Sequence, residues 1–512
     1  MTRIKDLIVN SNCKHDNLQG IKTKLAQNSL VELRLGFEER EFRSKRDIQS
    51  LIKVIEEKFY HQLSLHKHSC LKSICIGWRL PPFALGPVLR SVIPALLQEP
   101  VRVTHIQLNL NNNPSIPEEY LRRILSWHSL ESLDLRSITL RVRSTSSMMP
   151  LTPLQQPATR RDQLLRHQLQ QRTGIVDNTI TTTNNNNNNS TKESGNDSEN
   201  WKQANIVTIV PYLTSSVKSL KLMNCGINEH HIPKLCESIR RRMHGLKNLC
   251  LRQNFTLDGG YHHLFALPRI RSLDLSLCDL DENDGYLIGR AIEKCENEDL
   301  ERLSLAGNYR LSVAVPEIVR AAATTLTEVD CSFCGVNTKS QRQVFAILAE
   351  SSSSSSCPKD QKCTIQSFRM QGILLSDVEG LVNCIRNNTS LRHLVVDHPH
   401  EVRSISMEGM HQIVTALKSN YSLEVLRFDV IQKKNLGILE DIDFWLKLNQ
   451  CGRRALLQAN EGINSWSTIL GQGAKSKDHN ILFWLLKHGS AMFTNTDIVP
   501  RIQVQENQNV TN

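Results

Sequence analysis

Ile270-Arg-Ser-Leu273-Asp-Leu275-Ser-Leu-Cys278-Asp-Leu280 is the stretch whose reading decides the fold. Counted from Ile270 as zero, apolar residues stand at positions 0, 3, 5 and 10, and a small residue that can hydrogen-bond stands at position 8. The same ruler fits Val217/Leu220/Leu222/Cys225/Ile227, Leu246/Leu249/Leu251/Asn254, Leu300/Leu303/Leu305/Asn308 and Leu326/Val329/Cys331/Cys334/Val336. In the two segments with asparagine at position 8 the last apolar residue comes one later, at Leu257 and Leu311. Positions 3 and 5 point the same way because side chains alternate along a strand, so each unit carries an apolar face that it cannot bury alone. Stacking neighbouring units buries it. The Cys or Asn at position 8 falls where the chain leaves the strand and bends inward, where backbone groups need side-chain partners.

The five units start 29, 24, 30 and 26 residues apart, which leaves room for a strand, a turn and one helix. Weaker copies of positions 0, 3 and 5 lie upstream at Leu30/Leu33/Leu35, Leu71/Ile74/Ile76, Val103/Ile106/Leu108 and Leu130/Leu133/Leu135. Downstream copies lie at Ile365/Phe368/Met370, Leu391/Leu394/Val396 and Leu423/Leu426/Phe428, giving twelve strands in all. Between strands, Ile232/Leu235/Cys236/Ile239, Leu287/Ile288/Ala291/Ile292 and Val344/Phe345/Leu348 recur at three and four, the spacing of one buried helical stripe. The pattern predicts an α/β solenoid shaped as a horseshoe, with parallel strands on the concave face, helices on the convex face and a small helical C-terminal cap.

The expected organisation is an N-terminal flank over 1–29, repeats over 30–140, an insertion over 141–205, repeats over 206–435, a cap over 436–495 and a disordered tail over 496–512. The insertion carries Ser144-Thr-Ser-Ser147, several prolines and six asparagines from Asn184 to Asn189, a composition that cannot build a core and predicts disorder. A second break, Ser351 to Ser356, falls between strands as well. The cap is read from Asp443-Phe-Trp-Leu-Lys-Leu-Asn449-Gln-Cys-Gly-Arg-Arg-Ala-Leu-Leu457 and from the segments around Trp466 and Trp484, which suit short helices over the open end of the solenoid.

The net charge of +11 comes with Arg122-Arg123, Arg160-Arg161, Arg240-Arg241-Arg242 and Arg453-Arg454. Their scatter argues against a nucleic-acid stripe and reads as solvent-facing charge. With no apolar run long enough to span a bilayer and no signal-peptide core after Met1-Thr-Arg-Ile-Lys-Asp6, the expectation is an intracellular protein, cytoplasmic rather than nuclear, with no membrane association and with reduced thiols.

Catalytic, cofactor and metal chemistry finds no footing in the sequence. Cys331-Ser-Phe-Cys334 is explained by a core position and the position-8 ladder, and a zinc site would need four converging ligands. His230-His231, His262-His263 and His398-Pro-His400 are read as capping or solvent-facing pairs. Gly471-Gln-Gly473-Ala-Lys475-Ser476 has the wrong spacing for a phosphate loop. No catalytic, cofactor or metal residue is assigned, and the chain reads as a non-enzyme. Binding is expected on the concave face, through the outward residues of the strands. Lys221, Asp274, Ser304, Asp330, Arg369 and Arg427 stand at position 4, and Arg252 and Asp397 at position 6. Mixed signs with acid in the middle suit a protein partner better than a phosphate backbone.

Repeats of this length with a Cys/Asn ladder resemble the ribonuclease-inhibitor-like subfamily of leucine-rich repeats. The tail from Phe444 to Leu457, with the later Ile481-Leu-Phe-Trp-Leu-Leu486, is similar to the ending of uncharacterised diatom leucine-rich-repeat proteins. The tail resemblance implies lineage rather than activity, and the expected function, drawn from the fold, is an intracellular scaffold or recognition protein that binds a protein partner on its concave face. Two alternatives share the repeat: an activator of the Ran GTPase type, whose partner would be a small GTPase, and a ribonuclease-inhibitor-like or sensor protein. Ran activators typically carry an acidic C-terminal tract, whereas residues 503–512 read QVQENQNVTN, and no residue here matches their functional asparagine and arginine. The oligomeric state is left open.

Overall fold

The computed structural model describes residues 32–35, 73–76, 104–109, 116–125, 129–138, 140–143, 471 and 201–453, the last with breaks at 256–259, 295–296, 351–362, 374, 376, 397–404 and 429–435. The chain divides into two units, residues 1–140 with 204–512, and residues 141–203. Within the larger unit, twelve strands form one sheet in chain order. They are β1 (Glu32–Leu35), β2 (Ser73–Ile76), β3 (His105–Asn109), β4 (Ser132–Arg136), β5 (Ser219–Met223) and β6 (Asn248–Cys250). The series continues with β7 (Ser272–Asp274), β8 (Arg302–Ser304), β9 (Glu328–Asp330), β10 (Ser367–Arg369), β11 (His393–Val395) and β12 (Val425–Arg427).

Every neighbouring pair is parallel, and the register carries position 3 of each unit onto position 3 of the next. Leu33, Ile74, Ile106, Leu133, Leu220 and Leu249 stand in one row. Leu273, Leu303, Val329, Phe368, Leu394 and Leu426 continue it. All twelve strands predicted from the ruler are present, and from Ile106 onward this row is buried. A one-residue slip anywhere would turn the apolar residues of that strand out to water, which is why one period fixes the whole register.

Helices α1 (Glu118–Leu125), α2 (Ile232–Arg242), α3 (Glu282–Glu293), α4 (Val315–Ala322), α5 (Thr338–Glu350), α6 (Val378–Asn387), α7 (Met407–Ser419) and α8 (Leu436–Gln450) connect or follow the strands. Each expected stripe packs into the core: Ile232, Leu235, Cys236 and Ile239 on α2, Ile288 and Ile292 on α3, and Val344, Phe345 and Leu348 on α5 are buried. The architecture is that of a leucine-rich-repeat solenoid. Among the described residues two connections depart from the strand-and-helix expectation, and one of them, before β5, holds two short 3-10 helices, Ile206–Thr208 and Val210–Tyr212. The unit starting at Leu246 has only 24 residues, and in place of an α-helix it holds a six-residue 3-10 helix, Tyr261–Ala266. The tighter 3-10 winding advances further per residue, so it covers the gap with fewer of them.

Of the expected disordered insertion, 144–200 lies outside the described residues. Its described ends are two short strands hydrogen-bonded to each other, Leu140–Arg143 and Trp201–Ala204. The expected cap is entered by α8, which buries Ile438, Ile442, Trp445 and Leu448. Apart from Gly471, residues 454–495 lie outside the described residues, as do the flank 1–29, the serine run 351–356 and the tail 496–512.

Candidate interaction face

The turn that follows each strand is built the same way seven times. Position 7 takes a left-handed conformation in every unit from β4 to β10: Ser137, Asn224, Gln253, Leu277, Gly307, Phe333 and Gly372 have φ between 50° and 79°. Position 8 then turns inward. Asn254 Oδ1 accepts the amides of Cys225 and Ile227 in the preceding unit, while its Nδ2 donates to Leu222 O and Leu251 O. Asn308 repeats this one pair of units later, accepting from Cys278 and Leu280 and donating to Leu275 O and Leu305 O. The cysteines between them donate their thiols across units, Cys278 to Leu251 O at 3.3 Å and Cys334 to Leu305 O at 3.2 Å. Burial pushes the Cys225, Cys278 and Cys334 thiols up to about 12, so each stays protonated and able to donate. Cys331 and Cys334 are therefore interior hydrogen-bonding and packing groups, and the described cysteines are free.

The two residue types make two kinds of turn. After cysteine, position 9 is again left-handed, at Gly226, Asp279 and Gly335. After asparagine it is not, and the extra residue before Leu311 leaves position 9 pointing outward. Phe255 and Tyr309 stand there, 56% and 51% exposed. Leu277 and Phe333 are half-buried in a backbone region that costs a bulky side chain about 1–3 kcal/mol. Each leans over a glycine of the next unit, since a Cβ on Gly307 or Gly372 would lie 2.3 Å from Leu277 Cδ2 or Phe333 Cδ1.

The strand register places the candidate position-4 residues in one row. Lys221 pairs with Cys250, Cys250 with Asp274, Asp274 with Ser304, Ser304 with Asp330, and Asp330 with Arg369. Val395 and Arg427 complete it. Lys221, Arg369 and Arg427 are exposed, whereas Asp274, Ser304 and Asp330 are half-buried and Val395 is buried. Arg252 is exposed at position 6, and Asp397 lies outside the described residues. The acidic centre is organised by local bonds. Asp274 Oδ1 accepts the Ser276 amide at 3.0 Å and its hydroxyl at 2.6 Å, Oδ2 accepts the Cys250 thiol at 3.2 Å, and the Ser276 and Ser304 hydroxyls are 2.8 Å apart. Asp330 repeats the motif with the Ser332 amide at 3.0 Å. Ser276 and Ser332, expected to point outward at position 6, are buried because these bonds fold them back against the carboxylates.

Three structural residues escaped the sequence reading. Asn388, Asn420 and Asn449 form a second ladder at the other end of the strands. Asn388 and Asn420 each accept two amides just before a strand, from Ser390 and Leu391 and from Ser422 and Leu423. Asn420 and Asn449 each donate to carbonyls of the preceding unit, Asn420 to Ile385 O and Asn388 O and Asn449 to Asn420 O and Leu423 O. Their signal is Asn-x-Ser-Leu, present at Asn388-Thr-Ser-Leu391 and Asn420-Tyr-Ser-Leu423. Arg453 corrects the reading of the arginine pairs as solvent-facing. It is fully buried, donates to the α7 terminal carbonyls of Leu417, Lys418 and Asn420, and sits 4.2 Å over Tyr421 and 4.5 Å over Trp445. Burial pulls its guanidinium down to about 10, so it remains charged at neutral pH. Arg240, Arg241 and Arg242 do face solvent. The His262 and His263 rings lie 4.1 Å apart, tilted by 40°, and among the described residues no group of three or more His, Cys, Asp or Glu could hold a metal ion. No helix of the described residues is long and apolar enough to cross a membrane.

No family model matches the chain, and no curated protein matches it. Among solved structures, it is similar to the leucine-rich-repeat-containing protein LegL7 from Legionella pneumophila, with 12% identity over 81% of this chain and 98% of that one, at a TM-score of 0.36. It is also similar to the leiomodin-1 actin-binding site 2, with 12% identity over 33% of this chain and 90% of that one, at a TM-score of 0.26. The tropomodulin C-terminal domain of Caenorhabditis elegans gives 12% identity, 33% and 94% coverage, and a TM-score of 0.27.

Proposed function

We propose that this protein is a non-enzymatic scaffold or recognition protein of the ribonuclease-inhibitor-like leucine-rich-repeat subfamily, acting inside the cell and binding a protein partner on the strand face. The observation that carries this is the row Lys221, Asp274, Ser304, Asp330, Arg369 and Arg427, one residue per strand at one register position. Exposed cations flank an acidic centre whose carboxylates have no ion pair among the described residues. Arg252 and Asp397 widen that face by one row. A surface of mixed sign favours a folded or peptide partner over nucleic acid, whose phosphates would require a uniformly basic row.

The test is affinity purification or proximity labelling from the native cell, comparing the intact chain with Asp274→Lys, Asp330→Lys and Arg369→Glu combined. A partner recovered by the intact chain and lost from the variant supports the strand face. A partner kept by both excludes it. Recovery of a small GTPase whose hydrolysis the chain accelerates replaces the scaffold reading with that of a catalytic activator.

A further inference from the structure

The units from β6 to β9 repeat in pairs. Phe255, Asp274 and Leu277 in one pair correspond to Tyr309, Asp330 and Phe333 in the next. The pairs are two strands apart, so equivalent groups recur at about 9.6 Å along the sheet. Carboxylates at position 4 and half-buried apolar side chains at position 7, in the units of β7 and β9, and exposed aromatics at position 9, after β6 and β8, each recur at that period. The position-7 row follows the same hydrogen-bonded ladder as the strands, through Leu277 N to Ala306 O and Phe333 N to Gln371 O. Neighbouring units fill position 7 with Asn224, Gln253, Gly307 and Gly372, all polar or without a side chain, so Leu277 and Phe333 stand where smaller or polar residues would cost less.

Resting on the strand-face reading, we infer that the partner segment is a basic amphipathic α-helix lying across β6 to β9. One cation would sit at Asp274 and a second at Asp330. Two turns of α-helix bring residues i and i+7 onto the same side at about 10.5 Å, close to the spacing of the carboxylates. An extended strand places residues i and i+3, at a comparable distance, on opposite faces. A helix also carries a second row, at i+4 and i+11, next to the cationic one, and that row would meet Leu277 and Phe333. The carboxylates supply charge complementarity.

The experiment uses the full chain and three labelled 22-residue helical peptides, the first two of equal composition and net charge, followed by fluorescence anisotropy. The first carries Lys at i and i+7 with Leu at i+4 and i+11, the second moves one Lys to i+5, and the third replaces both Lys by Glu. The inference expects the first to bind at least tenfold more tightly than either other. It also expects Leu277→Asn with Phe333→Asn, which keeps a residue suited to the left-handed turn, to weaken the first peptide at least tenfold without lowering the melting temperature. Equal binding of the first two peptides, undiminished binding by the Asn variant, or self-association of the chain through these same residues overturns it. If the native partner is still lost from the charge-reversed variant while the peptides fail to discriminate, the strand face stands and the basic-helix chemistry falls. If the native partner is retained by that variant, the strand face itself falls.

Discussion

Asn254 and Asn308 are fully buried amides whose four hydrogen-bonding directions are spent on backbone groups of two adjacent units. Asn308→Ala would strand the Cys278 and Leu280 amides and two carbonyls away from water, a loss of about 3 kcal/mol or more of unfolding free energy in urea titration. Cys334→Ala removes a single weak donor and should cost about 1 kcal/mol. Histidine sets a second expectation. Burial lowers the His262 and His231 pKa below the ordinary 6.5, so the folded state favours the neutral ring. Below about pH 6.5 the unfolded chain takes up protons that the folded chain refuses, and stability falls as the pH drops; above it the difference vanishes. His262→Asn should flatten the decline in melting temperature between pH 7 and pH 5, a comparison that calorimetry makes directly.

At the scale of elements, one buried side chain after α8 fastens it to the end of α7. Arg453 closes the C-terminus of α7 with three carbonyl bonds, whose helix-end partial charge favours a cation, and lies between Tyr421 and Trp445. Arg453→Ala should cost about 3 kcal/mol and speed amide exchange in the last turn of α7. Arg453→Lys should recover little, because an ammonium lacks the flat fork that reaches several carbonyls while stacking on rings. Nothing in the pair Arg453-Arg454 hints at this, since burial of a guanidinium depends on which carbonyls and rings the fold brings around it. Asn388 and Asn420 were legible in principle as Asn-x-Ser-Leu, but that spacing falls before the apolar ruler rather than inside it, and Asn449-Gln-Cys-Gly452 lacks it. Conversely, the helical stripes of α2, α3 and α5 were plain, because a period of three and four has one physical reading.

For the whole molecule, stability is distributed over unit-to-unit contacts, so units should be removable when the ladder is respected. Deleting residues 270–325 takes out one cysteine and one asparagine unit and brings Asn254 next to Cys334, preserving the alternation. That variant should unfold cooperatively with a smaller denaturant slope. Deleting 300–325 alone sets Cys278 beside Cys334 and removes the acceptor of the Cys278 and Leu280 amides, and it should be the less stable of the two although it is longer. Strand count, register and interior thiols follow from the order of residues alone, because a side-chain period of two combined with a repeat of fixed offset leaves one way to bury the apolar residues. Which outward residues stand free is set by packing between units. Asp274 and Asp330 fold their serines inward, Val395 is buried, and the choice between cysteine and asparagine turns swings Phe255 and Tyr309 into solvent. Those outcomes depend on contacts between units, and no spacing within a single unit records them.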